Sequence, residues 1–314
     1  MSGGTYDVGM GPVPLDETAA LVALLRVRPG GLTWAELATE VILAGSAERV
    51  WDEGVDDGLL PRPETQAALQ SAKADVADWL DARLDLVTVL DERYPVRLLD
   101  IRETPPFLFA DGALLAEDPG MSVVGSRSAS PRGREIAAAA AETLVCRGLT
   151  VIAGLAAGID ATAHEAALRA GGRTVAVIGT GIRRYYPAEN RALQQAIARR
   201  GLVLSQFLPD APPTKSSFPM RNATMSGYGL ATIVVEAGEH SGARIQARKA
   251  VEHGRPVILT DQVASGTKWG ADLVGRPGVR VVAGPRDLEV AIDAILEERS
   301  ALHDALGELT ESFA

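Results

Sequence analysis

Residues 121–181 read MSVVGSRSASPRGREIAAAAAETLVCRGLTVIAGLAAGIDATAHEAALRAGGRTVAVIGTG. Three short β-branched runs, MSVVG, LTVIAG and RTVAVIG, are separated by PRGREIAAAAAETLVCRG and AGIDATAHEAALRAG, which have helical composition and spacing. Strands that alternate with helices of this length build a parallel sheet covered on both faces. The runs are apolar almost throughout rather than alternating, as expected of strands buried on both sides.

The same rhythm continues downstream. LVLSQ, ATIVVEAG, RPVILT and VRVVAG are further strands. AENRALQQAIARRG, SGARIQARKAVEHG and GTKWGADLVG are the helices between them, and FLPDAPPTKSSFPMRN reads as a loop. Upstream, LVTVL and PPFLFADG are short strands around the DERYP turn. Earlier still, strand signals vanish. LDETAALVALLRV is an amphipathic helix with Asp16 as an N-cap, broken by Pro29, Gly30 and Gly31. LTWAELATEVILAG places Thr33 and Glu36 as a capping box and Gly45 as a stop. TQAALQSAKADVADWLDARL is a third helix. The expected organisation is a loose Gly- and Pro-rich stretch over 1–15 within a helical domain of residues 1–85, an α/β domain of residues 86–285, and an acidic helical tail of residues 286–314.

The net charge of −10 hides a division. Residues 121–285 hold 20 Lys and Arg against 11 Asp and Glu, whereas the rest of the chain holds 11 against 30. A basic middle flanked by acidic ends suits an anion-binding segment whose flanks limit nonspecific adhesion. The lone cysteine, Cys146, excludes a disulfide framework and a thiolate metal cluster. The start of the chain has no basic segment followed by an apolar one, and no run of about 18 apolar residues occurs. A cytoplasmic protein with no membrane contact, no metal and no cofactor is expected.

In an open parallel sheet, ligands sit beyond the C-terminal strand ends, where the strand order reverses. The segments after the strands carry Gly125, Ser126 and Arg127; Gly154 and Gly158; Gly179, Gly181, Arg183, Arg184 and Asn190; Arg221 and Asn222; and Ser241, Gly242 and Arg244. Glycines let the backbone approach a ligand, helix N-termini offer N–H groups to anions, and arginine grips two phosphate oxygens at once. Arg127 and Arg221 are expected to project from the open edge, where their loss would remove anion contacts rather than packing. Neither the G-x-G-x-x-G nor the G-x-x-x-x-G-K-[ST] fingerprint occurs. Asp160 and His164, four residues apart, read either as an acid–base pair or as a helix-start carboxylate beside a packed histidine. Glu236 is either a general base, a ribose-hydroxyl acceptor, or a loop brace. Tyr185, Tyr186 and Phe218 are rim aromatics, for stacking on bases or for bracing turns.

Taken in order, VVGSRSASPRG (123–133), GLAAGIDATAHEAALRAGGRTVAVIGTGIRRYYPAENRAL (154–193), FPMRN (218–222) and VVEAGEHSGARIQARKAVEHGRPV (234–257) resemble the DNA-processing protein A (DprA/Smf) family. The helical N-terminus and LDERYPVRLLDIRETPPFLFADGAL (90–114) agree with it, so the resemblance runs from about Asp16 to Gly284. It implies an extended Rossmann-like parallel sheet, preceded by a small SAM-like helical domain. It also implies a non-enzymatic, homodimeric protein that binds single-stranded DNA in uptake and natural transformation and serves a RecA-type recombinase. Arg127 falls on the family's G-S-R arginine and Arg221 on its FP-x-RN arginine.

Several positions depart from the family pattern. Ala223 follows Asn222 in place of a second arginine, Arg244 stands in SGARIQA, and Thr260-Asp261-Gln262 replaces a Pro-Gly. About 30 residues follow Gly284, so the winged helix that ends many relatives is expected to be absent. Two other readings of the same edge are a small-nucleotide sensor, for example in defence, and a nucleotide phosphoribohydrolase using Glu236. The second lacks the P-G-G-x-G-T motif of such enzymes.

Overall fold

The computed structural model describes residues 14–55 and 63–312. The Gly- and Pro-rich stretch expected to be loose over 1–15 lies almost wholly outside them. The chain divides into two compact units, one running to Tyr94 and joined by Thr104–Leu108, the other made of Pro95–Glu103 and everything from Phe109.

The first unit holds α1 (Leu15–Val27), α2 (Trp34–Ala44), α3 (Ala47–Val55), α4 (Pro63–Asp81) and β1 (Asp85–Thr88). Thr33 and Glu36 form the reciprocal capping box of α2, and Gly45 ends that helix at φ +69°. Asp16 is not a cap. It lies in the first turn of α1, after Pro14, and pairs with Lys73 at 2.7 Å. Helix α3 was missed although its start carries a local cap: the Ser46 hydroxyl accepts the Arg49 N–H at 3.1 Å, and Glu17 adds a distant one by accepting the Ser46 hydroxyl and the Ala47 N–H, each at 2.6 Å. Leu21, Leu24, Leu37 and Val41 form the buried interior.

The second unit is the sheet domain, whose first strand, β2, begins with two residues of the first unit. Its elements are β2 (Phe107–Gly112), β3 (Gly120–Val124), α5 (Pro131–Cys146), β4 (Thr150–Ala153), α6 (Ile159–Arg169), β5 (Thr174–Val177), α7 (Arg191–Arg200), β6 (Leu202–Ser205), α8 (Ser217–Tyr228), β7 (Ala231–Val234), α9 (Gly242–Glu252), β8 (Val257–Thr260), α10 (Asp261–Gly266), α11 (Lys268–Leu273), β9 (Val279–Val282) and α12 (Pro285–Ser312). The strand order is β2-β6-β5-β4-β3-β7-β8-β9. All neighbours are parallel except β2, which runs antiparallel to β6 with Phe109 opposite Ser205. Strand β2 precedes the alternating strand–helix series, so no crossover helix obliges it to run parallel. The order reverses between β3 and β7, because the chain winds outward from β3 to β6 and then returns to the other side of β3.

The helices that connect the parallel strands cover both faces of the sheet. On one face, Ala137, Ala140, Ala141 and Leu144 of α5 meet Ala163 and Ala167 of α6 and Leu288, Ala291, Ile292 and Ile295 of α12 in one buried cluster. The acidic segment thus begins as part of the core: its first turns supply apolar side chains, and Asp293 takes two bonds from Arg147, at 2.6 and 2.9 Å. Removing residues 290–314 would therefore strip core side chains, and that deletion does not isolate the effect of the tail's charge. The other face carries α8. The stretch SSFPMRN, read above as loop, is the start of this helix, with Pro219 in the first turn where a missing N–H costs little. Residues Arg221–Tyr228 of α8 are all buried.

Candidate nucleic-acid interface

The ends of β3 and β7 flank a cleft of about 690 Å³ at the point where strand order reverses. Gly125, Ser126 and Arg127 line it from the β3 side, and Ser241 and Gly242 from the start of α9. Arg221 and Asn222 of α8 form part of its floor. Ser241 caps α9, its hydroxyl accepting the Ala243 N–H at 3.2 Å, which leaves that helix N-terminus facing the cleft. A smaller hollow of about 200 Å³ adjoins it, lined by Arg127, Gly154, Gly179, Tyr186, Phe218 and Arg221.

Arg127 and Arg221 share both cavities but not their surroundings. Arg127 is exposed, and no carboxylate pairs with it among the described residues. Its guanidinium lies 5.4 Å from the centroid of the Phe218 ring. Phe218 in turn meets Tyr186 at 5.6 Å between centroids, tilted by 42°. A cation over an aromatic face is held in place without being neutralised.

Arg221 is only 6 % exposed, which corrects the expectation that it projects from the open edge. One guanidinium nitrogen donates to Gly154 O at 2.5 Å and Val177 O at 2.7 Å, and Nε donates to Asn222 Oδ1 at 3.0 Å. Arg221 therefore fastens the ends of β4 and β5 to α8. Gly154 is required there, since a Cβ would overlap the guanidinium. The counter-charge is Asp160, which accepts Gly154 N–H at 2.9 Å and is also held by the amides of Ala156 and Gly125. Burial pushes the Asp160 carboxyl up, and Arg221 with these donors opposes that shift.

His164 is fully buried one turn further along α6. Thr174 donates its single hydroxyl proton to Val151 O at 2.7 Å, so it accepts from His164 Nδ1 at 2.6 Å. Burial, reinforced by Arg221, lowers the His164 pKa to about 3. Asp160 and His164 thus match the helix-start carboxylate and the packed histidine, not an acid–base pair. Glu236 is likewise a brace: its carboxylate accepts the Ser130 N–H at 3.1 Å and the Ser130 hydroxyl at 2.5 Å, at the N-cap of α5.

The remaining candidates scatter along the edge. Gly158 takes φ +81° at the start of α6, where a Cβ would run into the carbonyls of Ser126 and Arg127. Gly181 packs against the carbonyls of Leu208 and Pro209. Arg183 pairs with Asp210 at 3.0 Å, and Arg184 donates to the Asp210 carbonyl at 3.1 Å; both are exposed. Asn190 donates to the carbonyl of Leu155, whose φ is +58°, and so braces a turn. Arg244 is exposed on α9 and does not line the cleft. Sequence reasoning missed Arg191, whose guanidinium lies 4.7 Å from the Tyr185 ring centroid. It also missed Glu239, His240 and Gln246 in the cleft wall. No helix among the described residues is long and apolar enough to cross a membrane.

Comparison with known proteins places this arrangement. Residues 85–289 match the family described as DNA recombination-mediator protein A. The DNA processing protein DprA of Streptococcus pneumoniae is 38% identical over 203 residues, 64% of this chain and 72% of that protein. The putative DNA processing protein DprA of Mycobacterium tuberculosis is 31% identical over 292 residues, 87% of this chain and 75% of that protein. Among solved structures, the S. pneumoniae protein superposes with a TM-score of 0.68 at 31% identity, covering 88% of this chain and 98% of that one. The Helicobacter pylori DNA processing protein A, described with a single-stranded DNA binding mode, shares the fold at a TM-score of 0.59 and 23% identity, covering 69% of this chain and 98% of that one. Strand order, the cleft at its reversal and the match over residues 85–289 lead to one assignment: the chain belongs to the DNA recombination-mediator protein A family.

Proposed function

We propose that the C-terminal edge of the sheet holds single-stranded DNA and that the chain acts as a recombination mediator, not as a hydrolase. One observation carries this reading. Arg127, an exposed cation with no acidic partner among the described residues, lies over Phe218, which leans on Tyr186, beside a cleft walled by backbone and a helix N-terminus. Phosphate takes the charge and the N–H groups, while unpaired bases take the aromatic faces; a duplex hides those faces. The names of the relatives support the same assignment.

The surroundings of the candidate acid–base residues support a binding role over a hydrolytic one. Glu236 is engaged by Ser130, and Asp160 and His164 are buried in the fastening network. The nucleotide-sensor reading retains one supporting observation, a cleft whose volume falls in the range of small-molecule sites. A homodimer and a RecA-type recombinase partner belong to the proposal too. Two linked edges would hold one strand with higher avidity than one edge does.

Titration with oligo-dT, a matched duplex and nucleoside phosphates separates the readings. Tight oligo-dT binding with weak duplex binding is expected; saturable nucleotide binding without oligo-dT binding would replace this reading with the sensor. Light scattering at micromolar protein should give twice the chain mass.

A further inference from the structure

The function above leaves Thr260-Asp261-Gln262 without a role. These residues line a separate cavity of about 240 Å³ where β7, β8 and β9 end, between the first turns of α5 and α12. Its walls are apolar: Ile136 and Ala139 of α5, Ile233 of β7, Val282 of β9 and Leu288 of α12. Its rim is polar and carries Arg132, Glu135, Asp261 and Gln262. Arg132 is spoken for by Glu135 at 3.3 Å. Asp261 is exposed and has no basic partner among the described residues; its Oδ1 accepts only the N–H of Gln262, at 2.7 Å. Its other carboxylate oxygen remains open to a donor.

The geometry points to a site for one nucleobase with N–H donors on its pairing edge, guanine above all, presented by a strand in the neighbouring cleft. Apolar walls suit the π-face of a base, and burying that face is favourable. With Arg132 and Glu135 paired, the rim's unpaired charge is Asp261, which disfavours phosphate but accepts a base edge, and guanine offers two adjacent N–H groups to one carboxylate. The cavity shares the strand edge with the cleft. Ser128 lines the cleft and Arg132 the cavity, so the two are separated by at most about 15 Å of chain. This inference rests on the single-strand reading only for delivery of the base.

The test uses the full chain and oligo-dT carrying a single guanine, inosine or adenine. One guanine is expected to raise affinity about tenfold over plain oligo-dT, with inosine, lacking the second donor, gaining less. Asp261→Asn and the cavity-filling Ala139→Phe should each abolish that gain while leaving plain oligo-dT binding unchanged. Because Asp261 is exposed, its variant remains informative if Ala139→Phe fails to fold. No gain with guanine at any position along the oligonucleotide, or a gain that survives both substitutions, would overturn the proposal. If plain oligo-dT does not bind at all, the single-strand reading fails instead. Calorimetry with free guanosine then reads the cavity alone: saturable binding lost in Asp261→Asn supports the site, and no binding overturns it.

Discussion

The two halves of the cleft use the same residue type for opposite purposes. In the outer half, Arg127 rests on Phe218 with its charge uncompensated. In the inner half, Arg221 spends its donors on the carbonyls of Gly154 and Val177 and on Asn222, with Asp160 and His164 packed behind it. A buried charge needs partners at every turn, whereas an exposed one can wait for a ligand. The inner half therefore sets the positions of the loops, and the outer half is free to meet DNA.

The largest expected effect tests the inner half. Arg221→Ala leaves Asp160 buried without its counter-charge and frees two carbonyls, so it should cost about 3–5 kcal/mol. A denaturant titration reads that loss as a lower midpoint. An unchanged midpoint would mean that Arg221 is not a fastener.

His164 gives the next effect. Its folded pKa of about 3 lies below the ordinary value near 6.5, so the unfolded chain takes up the proton first as pH falls. Its contribution is fully present above pH 6.5. It is lost between pH 6.5 and 3 by up to about 1.4 kcal/mol per pH unit. Urea midpoints at pH 7.5 and 5.5 should therefore diverge in the wild type and diverge less in His164→Gln.

The outer half should behave in the reverse way. Arg127→Ala is expected to lower oligo-dT affinity about tenfold, as for one charge-assisted contact to phosphate, and to leave the melt unchanged. A lost cooperative melt would make it a second fastener. Arg183→Ala should be weaker still, because its guanidinium is already shared with Asp210 on the exposed edge. An effect equal to that of Arg127→Ala would show that the Asp210 pair opens on binding.

Much of this was legible in the sequence, and the gaps have a common cause. Unbroken β-branched runs and Gly-ended helices announced the parallel sheet, and the Thr33–Glu36 capping box is local enough to read directly. Glycines and arginines at strand ends marked the edge where the cleft lies. What escaped was decided by contacts far apart in sequence. Arg221 lies 67 and 44 residues from the carbonyls it binds. Helix α3 is the exception, since its Ser46 cap is local and was simply not read. The loop reading of FPMRN missed the start of α8, where Pro219 fits the first turn. The braces at Glu236 and Asn190 likewise follow from tertiary approach, to Ser130 and Leu155.

The central claim, that exposed arginine charge at this edge contacts a single strand, is tested most directly by the salt dependence of oligo-dT affinity in the wild type and in Arg127→Ala. Each phosphate neutralised on a single strand contributes about −0.7 to the log–log slope. The wild type should show a steep negative slope, and Arg127→Ala should be shallower by about 0.7. A flat wild-type slope, or identical slopes for the two proteins, would contradict the account.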